Sequence, residues 1–129
     1  MIPVRNIMLE HLVAVASGAT VRAAADLMCQ HKMGSVLVRR GEEYIGIITE
    51  TDMVRKVVGT GHDPSTMTVD EAMSGPLITI DENQSVLEAS NVMDRHRIRH
   101  LPVASKGRIV GLVSVRDLLH HIYGWGPVR

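Results

Sequence analysis

Apolar residues recur at spacings of three and four in two stretches of the chain, and this spacing gives a helix one apolar stripe. The stripes consist of Val21, Ala24, Ala25 and Met28 in the first stretch and Val86, Ala89, Val92 and Met93 in the second. Thr20 and Ser85 precede these stripes, where a hydroxyl residue caps a helix, and Ser85 with Glu88 forms a capping-box pattern. The sequence therefore predicts two capped amphipathic helices.

Short β-rich runs surround each predicted helix. The predicted strands cover residues 13–16, 35–39 and 44–49 in the first half and 77–80, 100–104 and 108–114 in the second. The last two strands of each half form a hairpin around Gly41 or Gly107, and a further helix follows at 50–58 or 115–123. Each half therefore has the order strand, helix, strand, strand, helix.

The two halves match at a constant shift of 65 residues, which indicates an internal repeat. The identical pairs are Val4/Val69, Met8/Met73, Leu12/Leu77, Val21/Val86, Ala24/Ala89, Met28/Met93, His31/His96, Val38/Val103, Gly46/Gly111 and Asp52/Asp117. We expect a first motif at 1–58, a turn-rich linker at 59–68, a second motif at 69–123 and a C-terminal tail at 124–129. Half-size units bury little sheet surface alone, so an α/β (α+β) fold of two packed, pseudo-symmetric units is predicted.

Composition narrows the class of protein. The 129 residues carry 14 Lys plus Arg and 14 Asp plus Glu, and this balance argues against a DNA-binding protein. Apolar runs are too short for a membrane span, and no signal-peptide pattern follows Met1. The single cysteine, Cys29, lies next to Met28 and is expected to be at least half-buried in a reducing, cytoplasmic environment.

One motif occurs in both halves where a strand turns into a helix. It reads Gly46-Ile-Ile-Thr49-Glu-Thr-Asp52 in the first half and Gly111-Leu-Val-Ser114-Val-Arg-Asp117 in the second. A hydroxyl followed three residues later by an acid is typical of a simple helix cap. The repetition also fits a binding site, because glycine permits close approach to the backbone and a carboxylate accepts two hydrogen bonds from a ribose diol.

With this motif in both halves, the sequence resembles tandem cystathionine β-synthase (CBS) domains, which are nucleotide-sensing pairs found beside enzymes, channels and transporters and as free-standing proteins. The resemblance covers nearly the whole chain. It also includes Val4-x-x-Ile-Met8, Val69-x-x-Ala-Met73 and Arg99-His100-Leu101-Pro102-Val103. The resemblance implies that two β-α-β-β-α units stack through their sheets, leave two clefts for adenosine ligands and commonly dimerise.

The same resemblance assigns site residues. It places the ribose-binding acids at Asp52 and Asp117, with Thr49 and Ser114 as neighbouring hydroxyls. Ile47 and Leu112 would line the adenine pockets. In the first cleft Asp52 would face Ile98, Arg99 and His100, and the cationic Arg99 with His100 favours a phosphate. In the second, weaker cleft Asp117 would face Met33, Gly34 and Ser35, with Arg116 as the substitute cation.

These features predict a regulatory module that senses an adenosine-containing nucleotide, with AMP, ADP or ATP favoured over S-adenosylmethionine or NAD. It would form a homodimer and signal to a separate partner protein. The alternative is a ligand-free dimerisation scaffold in which both motifs are only helix caps. An enzyme is the weakest hypothesis, since no nucleophile, metal motif or phosphate-binding loop is present; no catalytic residue, metal or cofactor is predicted.

Overall fold

Two three-stranded sheets organise the chain, and each belongs to its own compact unit in the computed structural model, which describes residues 1–125. The central unit comprises Val13–Leu77. The terminal unit combines Met1–Leu12 with the described residues from Ile78 to Trp125. The predicted α/β class is confirmed, and residues 126–129 of the predicted tail lie outside the described residues.

The central unit contains the first predicted set of elements. Its elements are β1 (Ala14–Ala16), α1 (Val21–His31), β2 (Ser35–Arg40), β3 (Glu43–Thr49), α2 (Glu50–Asp52), a π-helix that continues α2 (Met53–Val58), and α3 (Val69–Ala72). The sheet order is β1-β2-β3, with β1 parallel and β3 antiparallel to β2. The predicted helix at 50–58 is therefore present but becomes π-helical after Asp52, and the short α3 was not predicted.

The terminal unit repeats this topology. Its elements are a 3₁₀ turn (Val4–Asn6), β4 (Ile80–Asp81), α4 (Val86–His96), β5 (His100–Ser105), β6 (Arg108–Ser114) and α5 (Val115–Tyr123). The sheet order is β4-β5-β6, again with one parallel and one antiparallel pair. The predicted strand at 77–80 is shifted to β4, because only Ile80 and Asp81 find partners, Val103 and Ala104, on β5.

The two long helices begin as predicted. Thr20 Oγ1 accepts a hydrogen bond from the amide of Ala23 at 3.1 Å, and Ser85 Oγ accepts one from Glu88 at 3.0 Å. Their apolar stripes enter separate cores, around Val21, Ala24 and Met28 in the central unit and around Ala89 and Met93 in the terminal unit. These contacts confirm the helical spacing read from the sequence.

The expectation of a buried thiol at Cys29 was wrong, because Cys29 is exposed. One residue advances a helix by about 100°, so Cys29 leaves the face on which Met28 is buried. It lies instead on the solvent side of α1, where Arg22 and Asp26 form an exposed ion pair at 3.0 Å.

Each sheet is extended by the segment that precedes the other repeat's first strand. We call residues 1–12 and 66–77 the lead-ins. Ser74 exchanges two backbone hydrogen bonds with Ile47 on β3 at 2.8 and 3.0 Å, and Leu9 exchanges two with Leu112 on β6 at 2.8 and 2.9 Å. The compact units therefore differ from the sequence halves, because each lead-in supplies the backbone partners for the outer strand of its unit.

Glycine makes this pairing possible. A Cβ added at Gly46 would lie 2.5 Å from Met73 Sδ, and one at Gly111 would lie 2.5 Å from Met8 Sδ. Backbone carbonyls are also close, since these Cβ atoms would meet Ser74 O at 3.1 Å and Leu9 O at 3.0 Å. The glycine of each repeated motif therefore admits a lead-in to the sheet.

Each lead-in also contacts the turn that follows the first strand of its unit, β1 or β4, through one charged side chain. The sign of that charge differs between the two lead-ins. Asp70 accepts hydrogen bonds from Ser17 Oγ and from the amide of Gly18, both at 2.6 Å. In the terminal unit, Arg5, which corresponds to Asp70, donates to the side chain of Asn83. The two contacts therefore occupy equivalent positions, but the lead-in side chain accepts hydrogen bonds in the central unit and donates one in the terminal unit.

Asp70 is expected to contribute pH-dependent stability. Two hydrogen bonds lower the pKa of Asp70 below its ordinary value of 3.8. The larger effect comes from the Ser17 hydroxyl and the smaller one from the Gly18 amide. A depressed folded-state pKa adds stability above the unfolded-state pKa and loses it as pH falls through the folded value. Asp70→Asn should thus lower the free energy of unfolding by about 1 kcal/mol at pH 7 and by progressively less below about pH 4. Urea denaturation across pH measures this.

The matched control for that series is Asp94→Asn, at an exposed aspartate for which only a backbone contact is described. It should leave the wild-type pH dependence in place. A gap between Asp70→Asn and wild type that persists undiminished at acidic pH would contradict the assigned hydrogen bonds.

Gly46→Ala should destabilise the protein by about 1–3 kcal/mol, because the new methyl group overlaps Met73 and crowds a backbone carbonyl. Met73→Ala removes the overlapping thioether. In a double-mutant cycle measured by chemical denaturation, the combined loss should therefore be smaller than the sum of the single losses. Full additivity would show that the Gly46–Met73 contact does not cause the destabilisation.

Candidate functional site

The motif of the central unit forms a capping box at the start of α2. The Asp52 amide donates to Thr49 Oγ1 at 3.2 Å, and Asp52 Oδ2 accepts from the Thr49 amide at 3.0 Å and from its hydroxyl at 3.1 Å. A strand that ends directly at a helix leaves these amides without backbone partners, which the two side chains supply. The cap expected from the sequence is therefore present.

The motif of the terminal unit has the same geometry at the start of α5. The Asp117 amide donates to Ser114 Oγ at 3.2 Å, and Asp117 Oδ2 accepts from the Ser114 amide at 2.7 Å. The repeat thus places a carboxylate at the same strand-to-helix junction in each unit.

Asp52 and Asp117 differ from the acid of an ordinary capping box in being buried. Thr68 and Glu71 form a third capping box, and Glu71 is exposed there while hydrogen bonds from the Thr68 amide and hydroxyl lower the pKa of Glu71. Asp52 and Asp117 are only 5% and 2% exposed. A cap has no need of a buried carboxylate, whose desolvation costs free energy, so burial of both acids distinguishes them from Glu71.

The first residues of β2 and β5 lie beside these junctions within their own units. Ser35, which is buried, pairs with Thr49, and His100 pairs with Ser114. The carbonyl of Gly34 accepts from the Glu50 amide at 3.0 Å, and that of Arg99 accepts from the Val115 amide at 3.0 Å. The structure therefore brings together Gly34, Ser35, Thr49 and Asp52 in one unit and Arg99, His100, Ser114 and Asp117 in the other.

The sequence-based pairing crossed these groups, setting Asp52 against Arg99 and Asp117 against Gly34. These residues belong to different units, so this pairing stays a prediction. Of the other predicted residues, Met33 is half-buried after α1, Ile98 packs against the terminal core, and Arg116 is exposed in the first turn of α5.

Ile47 and Leu112, the predicted adenine-pocket residues, have backbones paired with the lead-ins. Ile47 is 8% exposed and Leu112 is half-buried. The sequence argument assigned the close approach at the motif glycines to a ligand, whereas in the structure the lead-in methionines make that approach.

Two further residues reach Asp52 that sequence reasoning missed. Lys56 Nζ lies 3.0 Å from Asp52 Oδ1, and Ser74 Oγ donates to the same oxygen at 3.3 Å. The spacing of four between Asp52 and Lys56 is a sequence signal for this ion pair. Ser74 has no such signal, because it reaches Asp52 only through the pairing of its lead-in with β3.

Two other features of the described residues bear on the class of site. Within residues 1–125, no helix combines the length and apolarity needed to cross a bilayer. In the same range, His, Cys, Asp and Glu form no group of three or more that is placed to hold a metal ion. His96 and His100, four residues apart, lie in different elements, because α4 ends at His96 and His100 opens β5.

Known proteins are similar to this chain in sequence and in fold. Hypoxic response protein 1 of Mycobacterium tuberculosis is 34% identical over 119 residues, covering 92% of this chain and 83% of that protein. A putative signal-transduction protein with CBS domains from Burkholderia ambifaria superposes with a TM-score of 0.86 at 32% identity, over 93% of this chain and 88% of that one. A hexameric CBS-CP12 protein from bloom-forming cyanobacteria gives a TM-score of 0.86 at 35% identity, over 92% and 70% of the two chains.

The family profile of the CBS domain matches residues 4–59 and again residues 69–124. These two matches begin at Val4 and Val69, which are the first identical pair of the 65-residue repeat. Because the matches account for nearly all of the repeat, the chain belongs to the CBS domain family as a tandem pair of CBS domains.

Proposed function

We propose that this CBS pair binds an adenosine-containing nucleotide and acts as a regulatory sensor rather than as an enzyme. The observation that carries the proposal is the burial of Asp52 and Asp117 at the same strand-to-helix junction of each repeat. A surface cap such as Glu71 stabilises a helix without burial. A buried carboxylate beside a strand start suits a ligand that supplies hydrogen-bond donors.

The 2′ and 3′ hydroxyls of a ribose are such donors. A carboxylate accepts from both, and a charge-assisted pair of this kind is about twice as strong as a neutral one. Asp52 with Thr49, and Asp117 with Ser114, are the groups proposed to hold the ribose. Ile47 and Leu112 are the proposed apolar contacts of the adenine ring.

Cations near the helix starts favour a phosphorylated ligand. The main chain of Arg99 is hydrogen-bonded to the first residue of α5, next to exposed Arg116. An arginine guanidinium donates two parallel hydrogen bonds to a phosphate, whereas the neighbouring carboxylates have no donor and carry the same negative charge as the phosphate. AMP, ADP or ATP is therefore the proposed ligand class, with S-adenosylmethionine and NAD sharing the adenosine group. The proposed output is a change in contact with a separate protein.

Alanine substitution of the two acids tests the ribose contact. Asp52→Ala or Asp117→Ala should weaken AMP binding at its own site by about 2–4 kcal/mol, which is tens- to several-hundred-fold, because a charged two-pronged contact is lost. Isothermal titration calorimetry of both variants and of the double variant resolves the two sites. The double variant should not bind measurably.

The matched control is Glu88→Ala, which removes an acid from the same third helical position of α4, outside either motif. Its AMP affinity should equal that of the wild type. Unchanged affinity in both aspartate variants would refute the ribose assignment, and the absence of binding by AMP, ATP, S-adenosylmethionine and NAD to the wild type would refute the sensor.

A dimerisation scaffold is the second candidate function, and it is favoured by exposed apolar residues on, or directly after, the helix that follows each repeated motif. These residues are Val54, Val58, Ile122, Tyr123 and Trp125, each at least 53% exposed. Val58 and Tyr123 occupy corresponding positions of the 65-residue repeat, and the Tyr123 and Trp125 rings stack with their centroids 5.5 Å apart. We propose that these surfaces join copies of the chain as a homodimer.

Placing a charge on these surfaces should break the association. Val58→Glu and Tyr123→Glu each put an unpaired carboxylate into the proposed interface, which is strongly unfavourable. Light scattering coupled to size-exclusion chromatography should give twice the 14.2 kDa chain mass for the wild type and a mass near 14.2 kDa for the variants. Leu87→Glu, at an exposed apolar residue of α4, is the control and should leave the mass unchanged. A monomeric wild type would refute this interface.

A further inference from the structure

We propose that Lys56 is an internal competitor for the ribose at Asp52: its ammonium occupies an acceptor position that the ligand's diol needs. The proposal rests on the nucleotide-binding function proposed above and adds a residue that sets the affinity of one of its two sites. It is carried by contacts that all lie within the central unit.

The Asp52 carboxylate already has a full set of donors. A carboxylate offers about four acceptor positions. Oδ2 accepts from the Thr49 amide and hydroxyl, while Oδ1 faces Lys56 Nζ at 3.0 Å and Ser74 Oγ at 3.3 Å. A vicinal diol brings two more O–H donors, so binding must displace at least one of the present partners.

The lysine is equally committed. Besides Asp52, Lys56 Nζ donates to the Ala72 carbonyl at 3.2 Å and lies 3.4 Å from Ser74 Oγ. An ammonium has three N–H donors, and three acceptors lie around this one. Lys56 in this position has no donor left for a ligand phosphate, which distinguishes a competitor from a phosphate-binding residue.

Of the partners of Asp52, Lys56 is the one that can leave at least cost. Thr49 is held by the capping box, and the main chain of Ser74 is held beside Asp52 by two backbone hydrogen bonds to Ile47, so its hydroxyl stays close even if it rotates. The Lys56 side chain is 42% exposed, against 7% for Asp52. When the ammonium leaves, water replaces Asp52 and its other acceptors, Ala72 O and Ser74 Oγ. The net loss is therefore close to that of a partly exposed ion pair, which is small.

The terminal unit does not repeat this arrangement. At the 65-residue shift, Lys56 corresponds to His121 and Ser74 corresponds to Leu9. An apolar side chain replaces the Ser74 hydroxyl, and exposed His121 replaces the ammonium. Internal competition by lysine is therefore specific to Asp52, and it makes the two proposed sites unequal in affinity.

The experiment isolates the Asp52 site in the Asp117→Ala background and titrates it with AMP and, separately, with adenosine. Adding Lys56→Met removes the competing ammonium while retaining an unbranched side chain that is one atom shorter. Both dissociation constants should fall by about three- to fivefold, the factor that corresponds to a partly exposed ion pair. Lys56→Gln, which retains donors without the charge, should give a smaller decrease. Circular dichroism and thermal unfolding establish that each variant is folded.

Arg55→Met is the matched control, because it removes one positive charge from the neighbouring residue, for which no contact with Asp52 is described. It should leave both dissociation constants unchanged. Weaker AMP binding with unchanged adenosine binding in Lys56→Met would make Lys56 a phosphate ligand and overturn the proposal. Unchanged binding of both probes would overturn it as well, with the nucleotide site intact. No binding of either probe to the wild type would instead refute the nucleotide-binding function and, with it, the competitor.

Discussion

The pairing of a lead-in with the outer strand of each sheet is the contact on which the rest of the structure depends. At Gly46 and Gly111 a methionine thioether and a backbone carbonyl approach to distances that leave no room for a Cβ. This approach allows Ser74 to pair with Ile47 on β3 and Leu9 to pair with Leu112 on β6. Without it, each three-stranded sheet would expose an unpaired edge.

The lead-ins also create the difference between the two junctions. Because the second lead-in pairs with β3, it carries the Ser74 hydroxyl to Asp52, and Lys56 bridges the two. The first lead-in pairs with β6 in the same way but carries Leu9. Two motifs with the same hydroxyl and acid positions therefore have different surroundings, and the difference originates in residues outside the motif.

The sequence predicted those parts of the structure that depend on local pattern. Helix stripes, the caps at Thr20 and Ser85, both hairpins and both strand-to-helix junctions follow from spacings within a dozen residues. The partner of each lead-in could not be predicted, because a 65-residue repeat makes both lead-ins fit either sheet by apolar pattern alone. The opposite polarity of Arg5 and Asp70 distinguishes them, but only once their contacts with Asn83 and Ser17 are known.

For the candidate site as well, the sequence predicted the local pattern but not the long-range contacts. The repeated hydroxyl and acid indicated both a cap and a carboxylate for a ligand, and the structure contains the cap in both units. The cap and the ligand site are distinguished by the burial of the carboxylate and by the number of hydrogen-bond donors already bound to it. Both properties depend on residues that are distant in the sequence. In the central unit those donors fill the carboxylate, so the proposed ligand would have to exchange partners with it in order to bind Asp52. A site that must exchange partners binds its ligand differently in its two arrangements, and such a difference in affinity is what any sensor requires.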